Sequence, residues 1–341
     1  AKLCRTSTMV EKSNLKGVGF ALLGFAVFST HDVVIKVLGA SYAPFQILFF
    51  SALLGFPLAT LMLITDKTPG TLRPVHPWWV LARTIAAILT GVCAFYAFSV
   101  LPLAQVYAFI FAAPLLITIL SIPMLGEKVG THRWAAVAMG LAGVLIVLRP
   151  GAEPFTLGHF AGLAAAFGSA FASVIARKIG AEERSAVMML YPMMANVLAM
   201  GAILPLVYVP MPIEHLGLLA IVAVFGFIGA LCTILAYRSG DAAIVAPMQY
   251  SQIIWAAIFG AAFFSEYPDK FTWIGASVIV LAGVYVVARE SLGGGSANTP
   301  VLHTRSRAET GTTPRISAML RARSDRILPG YEALAKRKKT P

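Results

Sequence analysis

The sequence predicts an all-α membrane protein with ten transmembrane helices in two inverted five-helix repeats. Three observations lead to this fold class. The composition is too apolar for a water-soluble domain, charged and turn residues divide the chain into ten long apolar runs, and the second half of the chain repeats the first.

Composition excludes most other classes of protein. Of the 341 residues, 58% are hydrophobic and 12% are charged, whereas a soluble chain has roughly 45–50% apolar and about 25% charged residues. Soluble enzymes, disordered chains and disulfide-rich scaffolds are therefore excluded. The three cysteines form no C-x-x-C pair, and we expect neither a metal site nor a cofactor.

Ten apolar runs account for the predicted helices, because about 20 apolar residues cross a hydrocarbon core of roughly 30 Å. Runs such as 110–120 show no period-2 alternation, which excludes a β-barrel. Leu101-Pro102 alone separates the third run from the fourth, and proline there favours a hairpin over one very long helix. The runs cover residues 15–38, 43–65, 78–100, 102–124, 132–149, 155–176, 186–208, 214–236, 242–264 and 271–288.

The distribution of Lys and Arg predicts the orientation. With the N-terminus in the cytoplasm, the opposite side holds only Lys36, Arg149 and Lys270 among the loop cations. Residues 291–341 carry ten Lys or Arg against three Asp or Glu, which gives +7 of the chain's net +12. We interpret this tail as a disordered cytoplasmic segment that contacts anionic lipid and binds no nucleic acid. Both termini are therefore predicted on the cytoplasmic side of an inner membrane.

An internal repeat relates the two halves of the chain. A shift of 139 residues aligns several identical residues without a gap, and a shift of 141 aligns the first and sixth spans, with Lys36 on Arg177. Since each repeat holds five spans, an odd number, the second copy lies upside-down relative to the first. Inverted repeats that meet at a midplane site are typical of secondary transporters. The identical pairs include Cys93/Cys232, Ala97/Ala236, Ala104/Ala243, Val106/Val245, Glu127/Glu266 and Trp134/Trp273.

The ends of the fourth and ninth spans carry a recognisable pattern. Leu125-Gly126-Glu127 precedes a glycine-rich span that ends at 143–147, and Phe264-Ser265-Glu266 precedes another that ends at 283–287. With ten spans in two repeats, the chain resembles the drug/metabolite transporter superfamily, specifically its EamA-type members. The resemblance covers about residues 15–289 and implies a secondary carrier of amino acids, amines, vitamins or related metabolites, commonly an exporter and sometimes an importer.

The domain organisation follows from the repeat. We predict a cytoplasmic N-terminal segment over 1–14, one EamA-type repeat over 15–149, a second over 155–289, and a basic cytoplasmic tail over 290–341. The carrier is expected to be a monomer or a homodimer.

Residues that break the repeat are the first candidates for a substrate site, because a substrate is rarely two-fold symmetric. His31 and Asp32 lie inside the first span, where the second repeat has Ala172 and Ser173. An ionised Asp in hydrocarbon costs about 2.5–3.5 kcal/mol on insertion scales, so Asp32 is predicted to bind a proton or a substrate ammonium, with His31 titrating nearby. The alternative is a structural pair with Lys36, one turn away.

The ninth span carries the second group of candidates. Gln249 and Gln252 lie seven to ten residues into the span, roughly 10–15 Å deep, and share a helical face. Their repeat equivalents, Ile110 and Ala113, are apolar. Amides that donate and accept suit a polar metabolite, although glutamine also bonds helices to one another. Tyr250 and Trp255 accompany them as candidate substrate contacts.

Further candidates are weaker, because residues of the interfacial belt look the same in a sequence. Tyr96, Gln105 and Tyr107 cluster around the hairpin between the third and fourth spans and could orient a ligand. Arg83 in the third span could meet a substrate carboxylate or could extend to the cytoplasmic face. Glu127 and Glu266, which both repeats share, are expected to be structural, for example by capping a neighbouring helix or pairing with an arginine.

No catalytic motif is present, so we predict no catalytic residue. The function predicted is a secondary active transporter that moves a small polar metabolite, such as an amino acid or a related amine, by alternating access. The alternative is an importer of a vitamin or nucleoside-like compound of the riboflavin or S-adenosylmethionine type. Outside transport, an intramembrane enzyme or a channel is the remaining reading.

Overall fold

The computed structural model describes residues 2–65, 72–126, 129–149, 154–180, 182–239 and 245–292. Regular structure within these ranges is helical. Eleven α-helices and one 3-10 helix over Ala246–Tyr250 follow one another along the chain. The α-helices are α1 Lys2–Gly39, α2 Pro44–Thr65, α3 Pro77–Val100, α4 Leu103–Ile110, α5 Ala113–Leu125, α6 Thr131–Leu148, α7 Leu157–Ile179, α8 Ser185–Val207, α9 Ile213–Ser239, α10 Ser251–Phe264 and α11 Lys270–Leu292.

Length and hydropathy make this an all-α protein of membrane-spanning type. Six helical stretches among the described residues are long and apolar enough to cross a bilayer, and three shorter apolar helices accompany them. Within the described residues, each predicted span coincides with helix, mostly to within three residues. The first differs, because α1 begins at Lys2, whereas its apolar stretch begins at Leu15.

The fourth and ninth spans are each interrupted. The fourth divides at Phe111 and Ala112 between α4 and α5. Under the 139-residue shift these positions become Tyr250 and Ser251, where the 3-10 helix gives way to α10. Proline is the second residue of α5 (Pro114) and of the 3-10 helix (Pro247). A proline ring clashes with the carbonyl four residues earlier, and its missing N–H removes one hydrogen bond of the helix.

Helix packing follows the repeat. α1 packs along α9, and α3 packs along α7. Since the repeat relates α1 to α7 and α3 to α9, these two pairs are equivalent. α2 packs on α8 and α6 on α11, which are pairs of equivalent helices. The same arrangement of contacts is thus built twice, and the main hydrophobic core lies where the two copies meet.

Glycine permits the close approach of α6 and α11. A Cβ on Gly143 would lie 2.9 Å from the carbonyl oxygen of Gly275, and one on Gly275 would lie 2.6 Å from that of Gly143. Either distance is too short for a real side chain. Small residues let helix backbones approach in this way where lipid supplies no hydrophobic driving force.

Contacts between loops divide the molecule into two ends. At the Lys36 end, defined by the loops at 40–43, 101–102, 149, 208–212 and 265–269, Lys36 contacts Leu101 and Glu266, and Arg149 pairs with Asp269. At the Glu183 end, defined by the loops at 72–76 and 182–184, Glu183 accepts hydrogen bonds from Val75 and His76. Successive spans therefore alternate in direction, with α4 and α5 counted as the two parts of one span.

Some predicted features lie outside the described residues. These are Glu127 and the basic tail from residue 293 onward. The first three residues of the predicted tail, 290–292, belong to α11.

Candidate functional site

A buried ionisable pair lies in the C-terminal half of α1. His31 and Asp32 are both fully buried, and Nδ1 of His31 lies 2.8 Å from Oδ1 of Asp32. A carboxylate accepts but does not donate, so the imidazole proton sits on Nδ1 when Asp32 is ionised. α1 brings this pair inward because it packs along α9 and also contacts α3 and α10.

Tyr107 on α4 completes the coordination of Asp32. Its hydroxyl donates to Oδ2 of Asp32 and lies 3.4 Å from Oγ of Ser29. Nε2 of Gln252, on α10, donates to the Tyr107 oxygen at 3.5 Å. We call these five residues the carboxylate cluster: Ser29, His31, Asp32, Tyr107 and Gln252.

The carboxylate cluster is buried from solvent and contains residues from both halves of the chain. Each of its residues is at most 1% exposed, and they come from α1, α4 and α10. At such burial an ionised carboxylate is stable only when paired and hydrogen-bonded. The imidazole and the phenol supply these hydrogen bonds. A bound cation would stabilise the charge further, and a proton would neutralise it.

A row of aromatic rings continues from the cluster. Tyr107 packs edge-on against Phe98 at 5.6 Å between ring centroids and stacks on Phe111 at 5.7 Å. Phe111 in turn meets Tyr250 edge-on at 5.1 Å. Because Phe111 occupies the interruption between α4 and α5, the broken span places this ring between the two halves.

The side chain of Tyr250 extends to Gly283 on α11. A Cβ on Gly283 would overlap the Tyr250 hydroxyl and lie 2.6 Å from its Cζ. Only glycine therefore fits at 283 while the ring keeps this position. Tyr250 reaches the cluster through Phe111 rather than by a hydrogen bond of its own.

The other predicted site residues make their contacts elsewhere. Gln249 is half-buried in the 3-10 helix, and Trp255 stacks on Phe259 at 5.7 Å. Tyr96 is a half-buried neighbour of the main core, and Gln105 is half-buried on α4.

Arg83 lies far from the cluster. It is 15 residues before Phe98 on α3, about 22 Å along the helix axis. Its side chain is buried, and Nη1 donates to the carbonyl of Met188 at 2.5 Å.

Lys36 takes a partner different from the one its spacing suggested. Nζ lies 2.8 Å from Oε1 of Glu266 and donates to the carbonyl of Leu101 at 2.5 Å. Oε2 of Glu266 accepts a hydrogen bond from the backbone N–H of Leu103 at 3.3 Å, at the start of α4. Glu266 thus caps a neighbouring helix, and its cation is a lysine from the other repeat.

Sequence reasoning missed Ser29, Phe98 and Phe111. Ser29 lies three residues before Asp32, on the same face of α1, so helical spacing is a signal that could have identified it. Phe98 and Phe111 are apolar residues in apolar helices, and their sequence context carries no comparable signal.

Together with the apolar helices and the buried carboxylate cluster, similarity to proteins of known function defines the class of protein. An S-adenosylmethionine uptake transporter of Rickettsia bellii is 26% identical over 80% of this chain and 94% of its own. A pseudopaline exporter of Pseudomonas aeruginosa is 28% identical over 78% and 94%, and a riboflavin transporter of Vibrio cholerae is 28% identical over 70% and 83%. The chain is accordingly a multi-pass membrane transporter rather than an enzyme.

A family model matches both repeats. Residues 15–149 and 156–289 both match the EamA-like transporter family, and the chain belongs to it. This confirms the resemblance to EamA-type drug/metabolite transporters. A protein of known crystal structure shares the fold, with a TM-score of 0.53 at 20% identity over 83% of this chain and 99% of that one.

Proposed function

We propose that this transporter is a secondary carrier that moves a small polar metabolite, such as an amino acid or a related amine, by alternating access. The carboxylate cluster is the observation that carries the proposal. A buried carboxylate at the meeting of α1, α4 and α10 is costly in a membrane protein and marks a substrate or ion pathway.

The proposed architecture is ten transmembrane helices in two inverted five-helix repeats. Three features support it: the packing pairs are equivalent under the repeat, both repeats interrupt their fourth span at the same position, and successive spans alternate in direction. Such a pseudo-symmetric scaffold can rock between two states of similar energy around a fixed site.

The proposed orientation places the Glu183 end in the cytoplasm of a cell with an inner membrane, together with both termini. Lys36, Arg149 and Lys270 are the cations at the Lys36 end, so the positive-inside rule assigns that end to the outside. The basic tail is proposed to contact anionic lipid on the cytoplasmic surface, and the carrier to act as a monomer or homodimer.

Asp32 is proposed to accept either a proton or the ammonium group of the substrate. A cation near Asp32 would be attracted by the carboxylate that the hydrogen bonds of His31 and Tyr107 stabilise. The aromatic row of Phe98, Tyr107, Phe111 and Tyr250 would add ring faces, and a cation on such a face is stabilised by about 0.5–2 kcal/mol.

A second candidate substrate is a vitamin or nucleoside-like compound taken up from outside. The named relatives favour it, because two of them are transporters of S-adenosylmethionine and riboflavin. Both compounds contain a flat heterocycle, and the amides of Gln249 and Gln252 could hydrogen-bond to such a ring.

Counterflow in proteoliposomes tests the proposal. Purified carrier is reconstituted with a panel of amino acids, S-adenosylmethionine and riboflavin inside, and uptake of each labelled compound is followed at several pH values. We expect saturable exchange of one compound, which Asp32→Asn abolishes or makes independent of pH. Glu214→Gln, an exposed carboxylate at the start of α9, is the matched control and should transport normally. Full, pH-dependent transport by Asp32→Asn would refute the role of Asp32, and flux that never saturates would indicate a channel.

A further inference from the structure

An ion pair crosses from one repeat to the other at the Lys36 end. Lys36 is 8% exposed and Glu266 is 25% exposed. Lys36 bonds both to Glu266 and to the carbonyl of Leu101, while Glu266 also accepts from Leu103. We call this set of contacts the latch: the side chains of Lys36 and Glu266 with the backbone of Leu101 and Leu103.

The latch lies directly outward of the carboxylate cluster. Lys36 follows Asp32 by four residues on α1, and Leu103 precedes Tyr107 by four residues on α4. Both steps are one helical turn, about 6 Å along the axis. α1 and α4 are therefore tied at two successive levels, first by the bond of Tyr107 to Asp32 and then by the latch.

The latch joins three segments that would have to separate for a solute to leave at this end. Lys36 lies in the last turn of α1, Leu101 connects α3 to α4, Leu103 begins α4, and Glu266 follows α10. The Nζ of Lys36 also lies 5.2 Å from the ring centroid of Phe264, the last residue of α10. Each bond in the set involves a charged group, and such bonds are stronger than those between neutral groups.

We propose that the latch is the gate that closes the Lys36 end of the transport pathway above the carboxylate cluster. The inference rests on the proposed function, since a gate needs a site to enclose. In the state described, the pair holds α1, α4 and the end of α10 together. Access from the Lys36 end requires that Lys36 and Glu266 separate, and reclosure requires that they meet again.

Accessibility of a buried cysteine tests the gate without knowledge of the substrate. Ser29→Cys is introduced into a variant whose native cysteines are replaced, since Ser29 lies two turns inward of Lys36 and is buried. Labelling of this cysteine by a membrane-impermeant maleimide is timed in intact cells. Lys36→Met or Glu266→Gln should raise the labelling rate by about tenfold, the scale expected when a charge-assisted hydrogen bond is lost from a conformational equilibrium.

The matched control is the second ion pair at the same end. Asp269 pairs with Arg149, which belongs to the other repeat, but the carboxylate is 40% exposed. Asp269→Asn should leave the labelling rate within twofold of the parent. The double variant Lys36→Met/Glu266→Gln should label no faster than either single variant, because one gate is removed only once.

A cross-linked variant keeps the proposal testable if the single variants fold poorly. Cysteines at 36 and 266 are joined by a short reducible bis-methanethiosulfonate linker, which should stop counterflow until a reductant restores it. Unchanged labelling in both single variants, or full counterflow by the cross-linked carrier, would overturn the gate. Normal gating together with full, pH-dependent transport by Asp32→Asn would instead refute the proposed role of Asp32 and leave the latch intact, and flux that never saturates would refute the carrier itself.

Discussion

Replacing Tyr107 with Phe tests the link between the buried carboxylate and transport. The substitution removes one hydroxyl and keeps the ring between Phe98 and Phe111. Asp32 then loses the donor at Oδ2 and retains His31 at Oδ1. Since Asp32 and Tyr107 are 0% and 1% exposed, water has no access to replace the missing group in this state.

The size of the effect follows from the type of bond. A hydrogen bond to a charged group contributes about 1.5–3 kcal/mol, and about 1.4 kcal/mol corresponds to a factor of ten. The other contacts of the Tyr107 hydroxyl add little to this loss, because Gln252 and Ser29 lie 3.5 and 3.4 Å from its oxygen, near the limit for hydrogen bonds. We therefore expect counterflow to slow by about 10- to 150-fold.

The assay is initial-rate counterflow in proteoliposomes, with the melting temperature of the purified variant as a check on folding. Tyr285→Phe is the control, since it removes the same hydroxyl from an exposed contact, 3.2 Å from Nδ1 of His132. A Tyr107→Phe carrier that is folded and works within twofold of the parent rate would show that the hydroxyl does not support the site.

Two further predictions concern contacts that hold the helices around the site. Gly283→Ala should lower the stability by about 1–3 kcal/mol through overpacking against Tyr250, seen as a lower melting temperature. The loss should be much smaller in a Tyr250→Leu background, and an equal loss in both backgrounds would contradict the contact. Glu183→Gln should cost about 1–2 kcal/mol, because the buried carboxylate accepts from the N–H groups of Val75 and His76 at the start of α3. Denaturant titration measures this cost, with exposed Glu214→Gln as the control, and equal midpoints would refute it.

Much of the helical architecture could be predicted from local sequence. Runs of about 20 apolar residues bounded by charges and prolines specify where helices start and stop, because an unpaired backbone is intolerable in lipid. The predicted runs 78–100, 186–208 and 214–236 correspond to α3, α8 and α9 with shifts of at most three residues. Pro114 indicates a kink in the fourth span, but a proline does not reveal whether the preceding turn breaks or bends, so the full interruption at Phe111 did not follow from the sequence.

The candidate site was predictable in part. Asp32 and Gln252 were candidates because their repeat equivalents lack ionisable or amide groups. Tyr107 was a candidate because it lies with other polar residues near the predicted hairpin between the third and fourth spans. That these residues share hydrogen bonds did not follow from the sequence, because a hydroxyl and a carboxylate 75 residues apart meet only once α1 and α4 are packed together. Arg83 was a weaker candidate, and its position on α3 sets it against the backbone of α8.

The sequence by itself determined the class of protein, the extent of the apolar helices and the repeat, because these depend on composition and on spacing along one chain. The tertiary structure alone decided the partners. Lys36 lies one turn from Asp32 and could have paired with it, yet its long side chain extends to the end of α1, where folding delivers Glu266 from the other repeat. Asp32 is thereby left to His31 and Tyr107, since the choice between two carboxylates depends on which of them the packed helices bring within reach of the ammonium group.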